Sequence, residues 1–115
     1  MNHTQVAALL RTAALEEILP RYRHVVGTLK ADGSWLTEAD TAMQSRVQRD
    51  LAALWPEIPF LGEEMSAEEQ QVLMQQADTG LWILDPVDGT SNFSAGVPIF
   101  GPSLALIRAG KVVLG

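Results

Sequence analysis

An apolar run closes on two aspartates three residues apart, followed at once by a glycine and a string of hydroxyl and amide side chains: Leu81-Trp82-Ile83-Leu84-Asp85-Pro86-Val87-Asp88-Gly89-Thr90-Ser91-Asn92-Phe93. Two carboxylates converging across one turn are the oxygen donors that hard cations take, and Mg²⁺ held by one or two carboxylates keeps waters for a substrate phosphate. The Val87 carbonyl between them is a natural additional ligand. Gly89 frees the backbone for a sharp turn, and Thr90-Ser91-Asn92 opens a helix whose first amides bind anions. A phosphate can then bridge the two, with the metal on one side and the amides of Gly89, Thr90 and Ser91 on the other. Asp-Pro and Asp-Gly are also common turn pairs, so a decorated loop between a strand and a helix is the competing reading.

The surrounding elements must bring these groups together. Leu81 to Leu84 form the short continuous apolar run of a buried strand, which leaves Asp85 at its carboxyl end, where open sheets present ligand sites. Pro86 is expected to take the chain out of the sheet there. Upstream, Val6, Leu9, Leu10, Ala13, Ala14, Ile18 and Leu19 recur at helical spacing over residues 4–19, stopped by Pro20. Residues 24–30 read as a strand entering a turn at residues 31–34, with Trp35 and Leu36 as its return.

Thr37-Glu38-Ala39-Asp40 is a helix-start signal, and Ala39, Met43, Val47, Leu51 and Leu54 continue it as one stripe. After Pro56 and Pro59, a short strand through Phe60 and Leu61 ends at Gly62-Glu63-Glu64, and a third helix occupies residues 67–76. Residues 103–108 and 111–114 read as a hairpin turning at Ala109-Gly110. Helices thus alternate with strands. Trp35, Trp55 and Trp82 are assigned to core or interface.

Composition narrows the class. The 115 residues suffice for one domain, and 47% of them are hydrophobic, enough for a core. No apolar stretch approaches the roughly 18 residues that span a bilayer, and Arg11, Glu16 and Glu17 stand where a signal peptide is apolar, so a cytoplasmic protein without membrane contact is expected. The absence of cysteine removes disulfides, thiolate metal sites and a cysteine nucleophile. A net charge of −6 opposes binding to nucleic acid, while a bound cation would still let an acidic chain hold a phosphate ester.

Seven specified residues of the pattern D-P-x-D-G-T-x-N-F would arise by chance in such a chain with a probability on the order of one in ten million, at ~5% usage per residue type. The segment Asp85 to Phe93 resembles the signature of the inositol monophosphatase family of magnesium-dependent phosphatases. Gly62-Glu63-Glu64 resembles the family's Gly-Glu-Glu segment, and residues 30–40, KADGSWLTEAD, resemble its Lys-x-Asp-Gly-Ser-x-x-Thr-x-x-Asp segment. The resemblance implies a layered α/β (α+β) sandwich with helices on mainly antiparallel sheets.

It also implies Mg²⁺ held by Glu63, Asp85, the Val87 carbonyl and Asp88, and an attacking water oriented by Thr90 paired with Asp40 and shared by Glu63 through its metal. The implied activity is a phosphomonoesterase for myo-inositol 1-phosphate, with fructose 1,6-bisphosphate and 3′-phosphoadenosine 5′-phosphate as alternatives, and the implied assembly is a homodimer. Plainer readings stand beside these roles. Asp40 could be the N3 member of a capping box with Thr37, Glu63 and Glu64 a solvated pair at a strand end, and Lys30 a surface lysine instead of a contact to the site's carboxylates. The family's Trp-Asp-x-Ala-Ala-Gly segment, whose aspartate binds a second metal, has no counterpart here. Residues 1–115 are therefore expected to be the N-terminal part of a longer phosphatase domain, alone a poor catalyst or a non-catalytic metal- and phosphate-binding fragment.

Overall fold

The computed structural model describes residues 2–22, 28–29, 35–36, 38–63 and 65–115, without the side chains of residues 28, 29, 35, 36 and 94. Helix α1 (His3–Ala13) starts where the Asn2 side chain accepts from the Gln5 amide at 2.7 Å. The expected helix to residue 19 does not stay α-helical: Ala14–Ile18 widens into a π turn, closed by the Leu19 N–H on the Ala14 carbonyl, and Leu19–Arg21 tightens into a 3₁₀ turn. Pro20 is the physical reason, because it lacks an N–H and its ring crowds the carbonyl of Glu16 four residues back.

Strands β1 (Thr28–Leu29) and β2 (Trp35–Leu36) form a two-stranded antiparallel sheet. The rest of the expected strand over residues 24–30, the turn at residues 31–34 and the Thr37 cap lie outside the described residues. Helix α2 (Glu38–Leu54) buries Ala39, Met43, Val47 and Leu51, four residues apart on one stripe, and packs that face on the central strand of the main sheet. Arg46 ties α2 to the π turn through Glu16 at 3.2 Å and Glu17 at 3.1 Å, while Asp50 fixes the guanidinium at 2.6 Å.

The main sheet has four strands in chain order, β3 (Phe60–Gly62), β4 (Leu81–Asp88), β5 (Gly101–Arg108) and β6 (Lys111–Leu114). β3 and β4 run parallel and the other neighbours antiparallel. A parallel pair needs a crossover, and helix α3 (Ala67–Gln75) provides it, capped by Ser66, which accepts from the Glu69 amide and donates to the Glu69 carboxylate. The hairpin from β5 to β6 turns at Ala109 and Gly110, both at positive φ (49° and 74°), which is the primed turn that matches strand twist. Trp82, Leu84, Val87, Leu104 and Leu106 from the sheet meet the stripe of α2 and Phe93 in one core. Trp55 packs on Trp82 with ring centroids 5.9 Å apart. The result is a layered α/β arrangement with a mainly antiparallel sheet.

Strand β4 corrects one expectation. It does not leave the sheet at Pro86 but runs on to Asp88, with Asp85 opposite Ser103 and Asp88 opposite Gly101. Three steps on β4 face two on β5, so β4 carries one extra residue. A bulge is where a strand tolerates proline, since the missing N–H falls where the ladder is already interrupted.

Candidate active site

The bulge decides which way the two aspartates point. Strict alternation would put Asp85 and Asp88 on opposite faces of the sheet, and one extra residue between them cancels that difference. Pro86 and Val87 are both buried, whereas Asp85 is half-buried and Asp88 exposed. Asp85 lies among other acids. Burial, then a hydrogen bond with the Glu63 carboxyl, then the charges of Glu63, Asp88 and Asp40 push its pKa up from 3.8 to about 7. Its Oδ1 is buried without a hydrogen-bond partner among the described residues.

Asp40 and Thr90, fifty residues apart in the chain, meet directly. α2 carries Asp40 inward to 1% exposure, and the Thr90 hydroxyl lies 3.0 Å from its Oδ1. The same hydroxyl lies 2.8 Å from the Val87 carbonyl. With one proton and two acceptors, Thr90 links the first turn of α2 to the bulge of β4. The Asp40 carboxylate is thus engaged with Thr90, beyond any part it takes in capping α2.

Gly89 makes the turn out of β4 at φ 88°, a left-handed conformation that side chains resist. A Cβ there would also stand 2.7 Å from the Ile99 carbonyl oxygen and 3.3 Å from Phe100 Cα. The short helix α4 (Thr90–Ser94) follows, so the amides of Thr90 and Ser91 lie in a first turn without intrahelical acceptors. Asn92 donates to the Ile99 carbonyl at 2.9 Å and accepts the Val97 amide on its own carbonyl at 2.8 Å, pinning the following loop over Gly89. Phe93 and Phe100 stack edge to face beneath it, and Tyr22 joins them and donates to the Gly96 carbonyl at 2.6 Å.

Glu63 arrives from β3. Its amide donates to the Leu84 carbonyl at 3.1 Å, one residue before Asp85, so the parallel pairing of β3 and β4 sets Glu63 and Asp85 side by side. Of the sequence-predicted residues, Asp40, Glu63, Asp85, Val87, Asp88, Gly89, Thr90 and Ser91 all fall in this region, while Lys30 and Glu64 lie outside the described residues. Sequence reasoning missed Gln44 and Gln70, which press on the loop of Glu63, and gave Asn92 no task. Gln44 was findable, since it lies four residues after Asp40 and so one turn along the same face of α2. Gln70 carries no such signal.

The residues fit a hard divalent cation. Glu63, Asp85 and Asp88 are oxygen donors, and the orphaned Oδ1 of Asp85 amid like charges is the atom that a cation would satisfy. Among the described residues no three His, Asp or Glu side chains stand in an arrangement that already encloses an ion. Glu63 meets Asp85 through a carboxyl–carboxyl hydrogen bond, while Asp88 and Asp40 act on Asp85 through their charge.

Known proteins resemble this chain in sequence and fold. Residues 2–115 match the profile of the Inositol monophosphatase family. The inositol-1-monophosphatase of Mesorhizobium japonicum is 32% identical over 115 residues, covering all of this chain and 41% of that protein. The histidinol-phosphatase of Mycobacterium tuberculosis is 33% identical over 119 residues, covering all of this chain and 44% of that one. Among solved structures, the Thermotoga maritima IMPase superposes with a TM-score of 0.76 at 27% identity, over 95% of this chain and 40% of that one. An IMPase/NADP phosphatase complexed with Mg²⁺ and phosphate superposes at 0.73 and 26% identity, over 95% and 41%. The chain spans about two fifths of the length of these relatives. With the profile matched over residues 2–115 and relatives about a third identical over the whole chain, the chain belongs to the inositol monophosphatase family.

Proposed function

We propose that this chain provides the metal and phosphate site of a Mg²⁺-dependent phosphomonoesterase that hydrolyses a small phosphate ester by attack of an activated water, with myo-inositol 1-phosphate as the favoured substrate. The observation that carries the reading is the buried Oδ1 of Asp85, unpartnered among the described residues, in a carboxyl that feels the charge of Asp40, the partner of Thr90. Glu63, Asp85, the Val87 carbonyl and Asp88 would hold the metal. When bound, the metal lowers the pKa of a water and neutralises charge on the phosphate oxygens. Thr90, donating its proton to Asp40 Oδ1, keeps its oxygen lone pairs to accept from the water, and Asp40 stabilises the hydroxyl as it does so. The amides of Gly89, Thr90 and Ser91 would hold the phosphate.

The test is phosphate release with and without Mg²⁺, from myo-inositol 1-phosphate, histidinol phosphate, fructose 1,6-bisphosphate and 3′-phosphoadenosine 5′-phosphate in parallel. Both the 115-residue chain and the protein expressed from its native gene are assayed, after an intact-mass measurement on the latter. Mg²⁺-dependent turnover, fastest on inositol phosphate and lost in Asp88→Asn with the fold retained, is the expected result. Wild-type turnover by Asp88→Asn would overturn it.

The coverage of about two fifths of the relatives' length favours a second reading, in which residues 1–115 are the N-terminal part of the catalytic domain and bind metal and phosphate without turning over alone. That reading expects Mg²⁺ to stabilise the isolated chain without hydrolysis. The family resemblance favours a homodimer, and the exposed Val112 and Val113 on β6 are apolar surface consistent with a partner. Sedimentation would read the assembly directly.

A further inference from the structure

The loop that carries Glu63 is held mainly by side chains from two neighbouring helices. Between β3 and α3 the Met65 amide bonds back to the Gly62 carbonyl at 3.2 Å, and the Gly62 amide meets the Met65 sulfur at 3.1 Å. Such a turn still leaves the carbonyls of its outer residues facing α3. Gln70, in the first turns of α3, places its Nε2 among three of them and shares its two N–H donors between Gly62 O at 3.2 Å, Glu63 O at 3.3 Å and Met65 O at 3.2 Å. Three carbonyls around one terminal atom admit only the amide nitrogen there, so the orientation of Gln70 is fixed by its surroundings. From the other side, the Gln44 side chain of α2 packs so closely on Gly62 that a Cβ at that position would collide with it.

We infer that Gln70 is a positioning residue for Glu63, holding the Glu63 carbonyl while β4 holds its amide, so that the carboxylate is presented to Asp85 before any ion binds. The inference rests on the proposed metal site and names what prepares one of its ligands. Both backbone groups of Glu63 are tied, the N–H to Leu84 and the C=O to Gln70. An exposed glutamate on a turn otherwise samples several rotamers and backbone states, and a ligand that must be ordered on binding weakens the site.

The experiment is a Mn²⁺ titration of the 115-residue chain followed by electron paramagnetic resonance, on the unaltered chain and on Gln70→Met, Glu63→Gln and Gln71→Glu. Gln70→Met keeps length and helix propensity and removes the donors, while Gln71 is exposed on the same helix and serves as control. Amide exchange of metal-free Gln70→Met provides a second readout. The expected result is a loss of Mn²⁺ affinity of about tenfold or more in Gln70→Met. Faster exchange at the Glu63 amide should accompany it, with exchange in β4 at Trp82 unchanged and Gln71→Glu within twofold of the unaltered chain.

Mn²⁺ affinity within twofold in Gln70→Met, while Glu63→Gln is strongly weakened, would overturn the positioning role and leave the metal site standing. Loss of exchange protection throughout the sheet, with affinity per folded molecule unchanged, would also overturn it, since Gln70 would then be merely structural. No Mn²⁺ binding by the unaltered chain, or none lost in Glu63→Gln, would overturn the metal assignment of Glu63 and the positioning role with it.

Discussion

Two loops deliver this site, and at the start of each stands a glycine that a methyl group would disturb, but for different reasons. Gly89, between β4 and α4, stands at positive φ against the backbone of Ile99 and Phe100. Gly62, the last residue of β3, has the Gln44 side chain as its nearest obstacle. One loop is shaped by backbone against backbone, the other by side chains that could swing away. The first kind of constraint admits essentially one residue, whereas the second is spread over Gln44, Met65 and Gln70, each of which other residues could replace in part. The difference teaches where rigidity in this site is intrinsic to the chain path and where it is lent by neighbours.

Substitutions sharpen that contrast. Gly89→Ala must accept a left-handed backbone and a contact with an immovable carbonyl, so it should lose about 2 kcal/mol or more in urea unfolding. A loss under about 0.5 kcal/mol would mean that the Ile99 loop gives way and the contrast fails. Between the two loops stands Asp85, which a pH profile addresses. In the metal-free chain its folded pKa of about 7 lies above the ordinary 3.8, first through burial and then through Glu63 and its other acidic neighbours. The folded state therefore holds that proton more tightly, and the stability it contributes is full below about pH 4 and is lost as pH rises through about 7. Thermal melts with a chelator present should fall across this window in the unaltered chain and flatten in Asp85→Asn; an equal slope in both would place the titration elsewhere.

Thr90→Val keeps shape and removes the hydroxyl that reaches Asp40 and Val87, for an expected cost of about 1–2 kcal/mol by the same unfolding assay. Gly62→Ala should be milder, about 1 kcal/mol or less, because Gln44 can shift to another rotamer. If Gly62→Ala proved as damaging as Gly89→Ala, the two loops would be equally rigid and Gln44 would be a fixed wall.

Much of this was legible in the sequence because it rests on short-range rules. Ala39, Met43, Val47 and Leu51 declare the buried face of α2 by spacing alone, and Ala109-Gly110 declares its turn by the φ it needs. Asp85 to Phe93 could be singled out as one string because backbone geometry concentrates its requirements within a few residues. The bulge was not legible, since proline after an apolar run signals exit from a sheet as readily as an interruption within it. Nor was the π turn before Pro20, where the direction of the break was clear but the way the ladder would adjust was not. Gln70 and the Tyr22 bond to Gly96 depend on which surfaces tertiary packing brings together, and glutamine and tyrosine at those positions carry no periodic mark.

The pairing of Trp82 with Trp55 has an optical consequence. Trp82 is fully buried and its indole N–H has no acceptor among the described residues, so its emission belongs to the blue, apolar end of tryptophan fluorescence. With Trp55 at 5.9 Å, the two rings are close enough for their excited states to couple, giving a circular-dichroism couplet that a lone indole lacks. Trp82 lies on the same strand as Asp85, three residues away, so a change of twist in β4 when the acidic end is neutralised would alter the angle between the rings. Such a change would be readable at the Trp55–Trp82 pair without a label.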